Sequence, residues 1–283
     1  MSNPSRNMVK ASGNRGGGSD EAGSDPDLLM VQSVEKAFRV LNAIGNSGTP
    51  CTLAEVTAKT QIGKSAAQRF MHTLAKLGYI ERFQNTNSWV LSVKVLQLTN
   101  FYLNSNEFIR RTQPYLIHLS KETEETVNLT ILEGTDIVFI SRYPSRHVLA
   151  TDVVIGTRMP AYCSAPGIAM LSRLNPEAAE DVINASSLKA FTQHTTCDRD
   201  ALLQKIAVSA KRGYSTAFEE YFLGDISIAS AIIDSTGAPV GAINVAVSRA
   251  RYTPEEAEAR FSGAVAAAAQ AASSHRPPAA MMA

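Results

Sequence analysis

The sequence predicts two modules of different class: an α-helical winged helix-turn-helix domain near the amino terminus and a larger α+β domain behind it, joined by a linker helix. Three observations carry this. Residues 50–82, PCTLAEVTAKTQIGKSAAQRFMHTLAKLGYIER, read as helix, tight turn and helix, with polar and basic residues opening the second helix and an apolar stripe behind them. Two short β-rich runs follow around the turn residues 84–88 and add a wing. Beyond residue 106, apolar strands alternate with helical patterns, as in an antiparallel sheet with helices at its ends.

Ser33 is a fitting N-cap for a first helix with the stripe Val34, Ala37, Phe38, Leu41 and Ile44, closed by Gly45 and Gly48. The second helix starts at Thr52. There Thr52-Leu53-Ala54-Glu55 has the capping-box pattern, hydroxyl to a forward amide and carboxylate back to the cap. Gln61-Ile62-Gly63 makes the turn, with Gly63 free to take positive φ. The third helix runs from Lys64 to Leu77, burying Ala67, Phe70, Met71, Leu74 and Leu77, and Gly78 ends it. Residues 79–83 and 89–91 are the wing strands. Ser92 caps the linker helix, 93–103.

In the second module, residues 113–124 form a helix with Leu116, Ile117 and Leu119 on its apolar side. Strands follow at 127–132, 137–142 and 148–155, with Gly134 in the first hairpin. Helices come next at 167–174, 177–184 and 198–212, the last ended by Gly213. Strands 226–233 and 240–247 are joined by Asp234-Ser235-Thr236-Gly237, and Pro254 opens a closing helix, 255–272. The resulting division is a disordered tail 1–27, the winged domain 28–92, the linker helix 93–106, the α+β domain 107–272 and a loose tail 273–283.

The formal net charge of +1 hides an asymmetry. Residues 28–105 carry eight Lys/Arg and three acids, whereas residues 106–273 carry 15 basic and 19 acidic side chains. Positive charge concentrated in a short segment suits phosphate contacts. Three widely spaced cysteines, Cys51, Cys163 and Cys197, form neither a disulfide frame nor a zinc motif. The longest apolar stretches fall short of the ~20 residues that span a bilayer. Nor is there a hydrophobic signal core. The expected setting is therefore the cytoplasm, with no membrane partner and no cofactor. Gly16-Gly17-Gly18 lacks the strand and Lys-Ser/Thr of a phosphate loop.

The residues also resemble the IclR family of bacterial transcriptional regulators from about Leu28 to Ala272. The resemblance is carried by Val31-Gln32-Ser33-Val34-Glu35-Lys36-Ala37, Gly63-Lys64-Ser65 with Arg69, Leu77-Gly78-Tyr79-Ile80-Glu81-Arg82, Gly156-Thr157-Arg158-Met159-Pro160, Phe191-Thr192-Gln193-His194-Thr195 and Arg212-Gly213-Tyr214. It implies a GAF/PAS-like effector domain, double-stranded operator DNA as partner, a small organic acid as effector, and homodimers or homotetramers. The run Gly156 to Ser164 looks most like the branch regulating aromatic-acid catabolism. The chain departs from the family pattern at Ile168, at Ala217 and Phe218, and over 224–231. These positions surround the expected pocket.

Lys64, Ser65, Ala66, Gln68 and Arg69 open the third helix and its exposed side, and His72 lies four residues beyond Gln68. Such a helix start favours phosphate. Gln68 can pair with adenine, and Arg69 with guanine or phosphate. Arg82 in the wing can reach a minor groove or belong to a plain hairpin. In the larger domain, Tyr162, Cys163, Ser164 and Ala165 stand where a loop enters a helix whose amides can hold a carboxylate. The resemblance adds Ser227, Asn244 and Ala246 from two late strands. Arg158 can pair with a ligand carboxylate or form a structural salt bridge. No GxSxG, HExxH or strand-borne GxGxxG occurs, so enzyme chemistry is not expected. Cys163 reads as a buried thiol with no base beside it. These features describe a ligand-responsive DNA-binding regulator. The alternative is a small-molecule sensor that acts by protein–protein contact.

Overall fold

The structure, a computed structural model, describes residues 29–84, 86–147 and 153–273. The expected tail 1–27, all but Ser273 of the expected tail 273–283, the wing-tip residue Asn85 and most of the strand expected at 148–155 lie outside the described residues. The chain divides into two compact units between Leu96 and Gln97.

The first unit contains α1 (Gln32–Gly45), β1 (Cys51–Thr52), α2 (Leu53–Thr60), α3 (Lys64–Lys76), β2 (Ile80–Arg82) and β3 (Ser88–Leu91). The helix α4 (Val95–Ser105) straddles the division. Val40, Ile44, Val56, Ala67, Met71 and Leu74 pack the centre of this unit. The capping box forms as expected: Thr52 N donates to Glu55 Oε2 (2.7 Å) and Glu55 N to Thr52 Oγ1 (3.3 Å). The Thr52 N–H and the Thr52 hydroxyl (2.8 Å) both donate to Glu55 Oε2, favour the ionised carboxylate and lower its pKa from the ordinary Glu value.

Several local expectations change. Helix α1 begins at Gln32, and Val31 occupies the cap without a side-chain bond, so Ser33 is not the cap. Its buried edge runs through Val40 and Ile44, while Val34 and Phe38 are exposed. The helix carries two apolar stripes and only one meets this unit's core. In the turn, Gln61 takes the left-handed conformation (φ 57°), with its side-chain amide on Ala58 O (2.7 Å). Gly63 has φ −56° and is the N-cap of α3. Helix α3 stops at Lys76, which leaves Leu77 exposed, and Gly78 (φ 83°) lets Tyr79 N reach Leu74 O (2.9 Å). The two-residue strand β1 completes a sheet of order β1-β3-β2 and is too short to leave a period in the sequence. Ser92 sits in a turn ahead of α4, accepting from Lys94 N (3.2 Å).

The second unit contains α5 (Glu107–Thr123), β4 (Thr126–Glu133), β5 (Asp136–Tyr143), β6 (Arg158–Pro160), a 3-10 turn (Ala161–Cys163), α6 (Ala165–Leu171), α7 (Pro176–Ala185), α8 (Arg199–Arg212), β7 (Ser215–Phe218), β8 (Asp225–Ile233), β9 (Pro239–Ser248) and α9 (Pro254–Ser273). All six strands pair antiparallel in the order β6-β5-β4-β9-β8-β7. Helix α5 starts before Pro114 because Asn106 caps it, accepting from Ile109 N (3.2 Å). Pro114 lies inside α5 on its exposed side and removes one backbone donor there. Residues 153–157 are not a strand, and β6 follows them. Strand β7 was not anticipated. Ser273 closes α9, its hydroxyl accepting from Ile233 N (2.9 Å).

The two faces of this sheet differ in chemistry. Ile226, Ile228, Ile243, Val245 and Val247 project toward α5 and α9 into an aliphatic core. The alternate residues, Ser227, Ala229, Asn244 and Ala246, are small or polar and face the other way, toward α6. There the 3-10 turn folds hard against α6. A Cβ on Gly167 would lie 2.2 Å from Ala161 O, whereas one on Gly63 meets nothing within 4 Å. Gly167→Ala is therefore expected to destabilise the second unit by roughly 1–3 kcal/mol. Circular dichroism in urea should show this as a lowered midpoint. Fluorescence of Trp89, the chain's one tryptophan, reports the first unit and should keep its midpoint. Gly63→Ala should leave both unmoved.

Candidate DNA-reading face and effector pocket

In the first unit, α3 is two-sided. Ala67, Met71 and Leu74 are buried, and Lys64, Ser65, Ala66, Gln68, Arg69 and His72 are all exposed. The N-cap Gly63 has no side chain to satisfy the first amides, and no acid stands in the first turn. The helix start therefore presents free N–H groups, the positive end of the dipole and Lys64 together. Arg82 on β2 is exposed but not loose. Its guanidinium lies 4.3 Å from the Trp89 ring centre and its Nη1 donates to Asn87 Oδ1 (3.1 Å). A crevice between α3 and the wing is lined by Gln68, His72, Arg82 and Asn87. All seven residues expected on the nucleic-acid face thus lie on the exposed surface of this unit.

In the second unit, a cavity opens between the polar sheet face, the 3-10 turn with the start of α6, and the segment joining β7 to β8. Its floor is a row of hydrogen-bonded side chains. Arg142 Nη1 donates to Asn128 Oδ1 (2.8 Å), Asn128 Nδ2 to Asn244 Oδ1 (3.3 Å), and Asn244 Nδ2 to Ser227 Oγ (2.9 Å). Strand register makes the row, since Arg142 stands opposite Asn128 and Asn128 opposite Asn244. Ile137, Phe139, Met159, Tyr221 and Phe222 supply apolar walls. The space is ≈ 40 Å³. That admits water but is well below the ~150 Å³ of a cavity known to hold benzene, so a ring-sized guest must displace side chains.

Of the residues expected in the pocket, Cys163, Ser164, Ala165, Ser227, Asn244 and Ala246 line it. Tyr162 does not. It is buried, its hydroxyl donating to Lys189 O (2.7 Å) and accepting from Lys189 N (2.8 Å). Arg158 also lies off the cavity, paired with Glu133 (2.5 Å) and Asp136 (3.2 Å) at the sheet edge. These two acids flank the β4–β5 turn and engage the Arg158 guanidinium away from the cavity. The start of α6 is a poor carboxylate cradle as well. Pro166 has no N–H, and Gly167 N is already bonded to Ser164 Oγ (3.2 Å).

The cation in this pocket is Arg142, which the sequence reading missed. Alternation from Ile137 and Phe139 would place Ser141 on the pocket face. A bulge at Ile140 shifts the register, so that Leu129 pairs with Ser141 and Thr130 with Phe139. Arg142 then points where Ser141 would have pointed. Burial pushes its guanidinium below the ordinary value, opposed by the Asp225 charge. Asp225 opens β8, and burial raises its carboxyl to about 7, with Arg142 pulling the other way. Glu220 is a third charged group in the lining. The readable hint was polar residues, Asn128 and Asn244, inside otherwise aliphatic strands. Cys163 is no nucleophile: burial pushes its thiol to about 12, and the S–H contacts Pro160 O (3.6 Å).

Two family models match the chain. The IclR helix-turn-helix domain covers residues 33–82, and the bacterial transcriptional regulator IclR C-terminal domain covers residues 100–274. The Pca regulon regulatory protein of Pseudomonas putida is 33% identical over 238 residues, 84% of this chain and 80% of that protein. A transcriptional regulator from Rhodococcus sp. RHA1 has a crystal structure that superimposes with a TM-score of 0.73 at 28% identity, covering 86% of this chain and 97% of that one. An IclR homolog from Microbacterium hydrocarbonoxydans, crystallised with 4-hydroxybenzoate, shares the fold at 20% identity and a TM-score of 0.68, covering 85% and 98%. The curated relatives are regulators rather than enzymes. With both of its units matched, this chain belongs to the IclR family of bacterial transcriptional regulators.

Proposed function

We propose that this regulator reads a partly palindromic operator with α3 and changes its grip when an organic acid, most favourably an aromatic one, enters the pocket beside Arg142. The observation that carries the DNA part is the two-sidedness of α3, with its basic, uncapped start outward and Ala67, Met71 and Leu74 inward. Lys64 and Ser65 suit phosphate. Gln68, Arg69 and His72 are spaced to meet base edges, and Arg82 is held ready on the wing. Two such helices in a homodimer, or a tetramer of two dimers, read half-sites ~34–36 Å apart. The cytoplasm is where that DNA is met.

For the effector, Arg142 commits only one Nη1 bond among the described residues. The rest of its planar edge can receive a carboxylate as a fork. Phe139, Tyr221 and Phe222 then flank a ring. Protonation of Asp225 offsets the negative charge that an acid anion brings into an enclosed site. The relatives' link to the Pca regulon and to 4-hydroxybenzoate supports an aromatic acid. A ligand that binds one DNA-competence state better by ~1–3 kcal/mol changes operator affinity about 5–150-fold.

Arg69→Ala should weaken specific operator binding by ~1–3 kcal/mol in gel-shift titrations, while Lys64→Ala lowers the salt slope by about one. Unchanged affinity and slope in both variants would remove α3 from the interface. Ser164→Leu and Arg142→Ala should each abolish calorimetric binding of aromatic acids. Because Ser164 caps α6 and Arg142 anchors the polar row, circular dichroism should accompany each titration to separate a lost site from a lost fold. Asp225 binds its proton more tightly folded (about 7) than unfolded (3.8). The unfolded chain releases that proton first, so Asp225 makes stability fall as pH rises from about 4 to 7, with no further change above. Asp225→Asn should flatten that part of the stability–pH curve in urea titrations.

A further inference from the structure

Glu220 is a buried acid in the pocket lining that a carboxylate held by Arg142 does not use. Its backbone is pinned from two sides. Thr195 Oγ1 donates to Glu220 O and Thr192 Oγ1 to Glu219 O, both at 2.6 Å. The preceding residue, Glu219, is held in the left-handed region (φ 55°), and its own carboxylate accepts from Gly224 N (2.8 Å). The Glu220 side chain is 8% exposed, and its Oε1 is bound by Lys205 of α8. Its Oε2 is buried with no hydrogen-bond partner among the described residues. An acceptor left so is costly, and only a donor relieves it. Two nearby donors are engaged elsewhere: the Cys163 thiol faces Pro160 O, and the Tyr162 hydroxyl bonds Lys189.

We infer that Glu220 Oε2 is the acceptor for a hydroxyl or N–H on the effector, so the pocket selects acids that carry a hydrogen-bond donor away from their carboxylate. The inference rests on the reading of this cavity as an acid-effector site. A bare acid leaves Oε2 unpaired. A dicarboxylate sets a second anion against it, and two adjoining carboxylates do not both stay ionised. The pocket thus accepts hydroxy-acids and rejects both their unsubstituted parents and diacids. Lys205 makes the arrangement directional. In Glu220→Gln the ammonium retains the amide oxygen, which turns the NH₂ toward the cavity and converts the acceptor into a donor.

Calorimetric titration of the full chain with 2-, 3- and 4-hydroxybenzoate, benzoate, 4-methoxybenzoate and terephthalate tests this. The wild type should bind its best hydroxybenzoate about 10- to 100-fold more tightly than benzoate, and 4-methoxybenzoate and terephthalate no better than benzoate. Glu220→Gln, with unchanged melting behaviour, should lose that preference and gain for 4-methoxybenzoate or terephthalate. Equal wild-type binding of benzoate and every hydroxybenzoate would overturn the inference and leave the acid-effector reading standing. A hydroxyl preference that survives in Glu220→Gln would remove Glu220 as its reader. Failure of all six compounds to bind would bring down both.

Discussion

A buried chain of donated hydrogen bonds, Arg142 to Asn128 to Asn244 to Ser227, governs how the larger unit is built. Asn128, Asn244 and Ser227 are nearly inaccessible to solvent, and a polar group in that position is tolerated only when paired. The bonds connect β5, β4, β9 and β8, so the strands must hold one register for any link to form. A slip of one residue would turn the polar row into the aliphatic core and the aliphatic row into the cavity. The same constraint explains the small side chains around the row. Ala246 leaves depth beside the floor, where isoleucine or valine would fill it.

The aliphatic face answers this with dense packing. Ile226, Ile228, Ile243, Val245 and Val247 meet Leu116 and Leu119 of α5 and Phe261 and Val265 of α9. One side of the sheet is thus a stability core and the other a receptacle, written in a single alternating strand pattern. The charges at the receptacle's rim are tuned by the same enclosure. Withdrawal from water raises Asp225 and lowers Arg142 toward their neutral forms, and the pair restrains each shift. Glu220 is tied to Lys205 on one oxygen only. A site of this kind is sensitive to both the charge and the donor count of whatever enters.

The smaller unit applies the same economy to a helix. Ala67, Met71 and Leu74 hold α3 from behind, so the exposed residues need no structural role. Gly63 is informative here. The turn's strained conformation falls on Gln61, stabilised by its own amide on Ala58, and the glycine leaves the helix start uncapped. A serine or aspartate there would satisfy an amide locally and withdraw it from a phosphate.

Local patterns in the chain were enough to determine much of this protein. The capping box at Thr52, the α3 stripe up to Leu74, the hairpin glycine Gly134 and the apolar strands β8 and β9 all depend on residues a few positions apart, and each forms. The exposed residues of α3 were legible for the same reason, because a helix period assigns faces directly. Only the tertiary structure decided the pocket's chemistry. A one-residue bulge at Ile140 turned Arg142 inward, and a bulge is defined only by the register against the neighbouring strand, which no local pattern carries. Arg158 was drawn to Glu133 and Asp136, and Tyr162 to the backbone of Lys189, by partners up to 27 residues away. Asp225 and Glu220 acquired their importance from enclosure, which arises when strands, turn and helix close around them and cannot be read from any one of these segments.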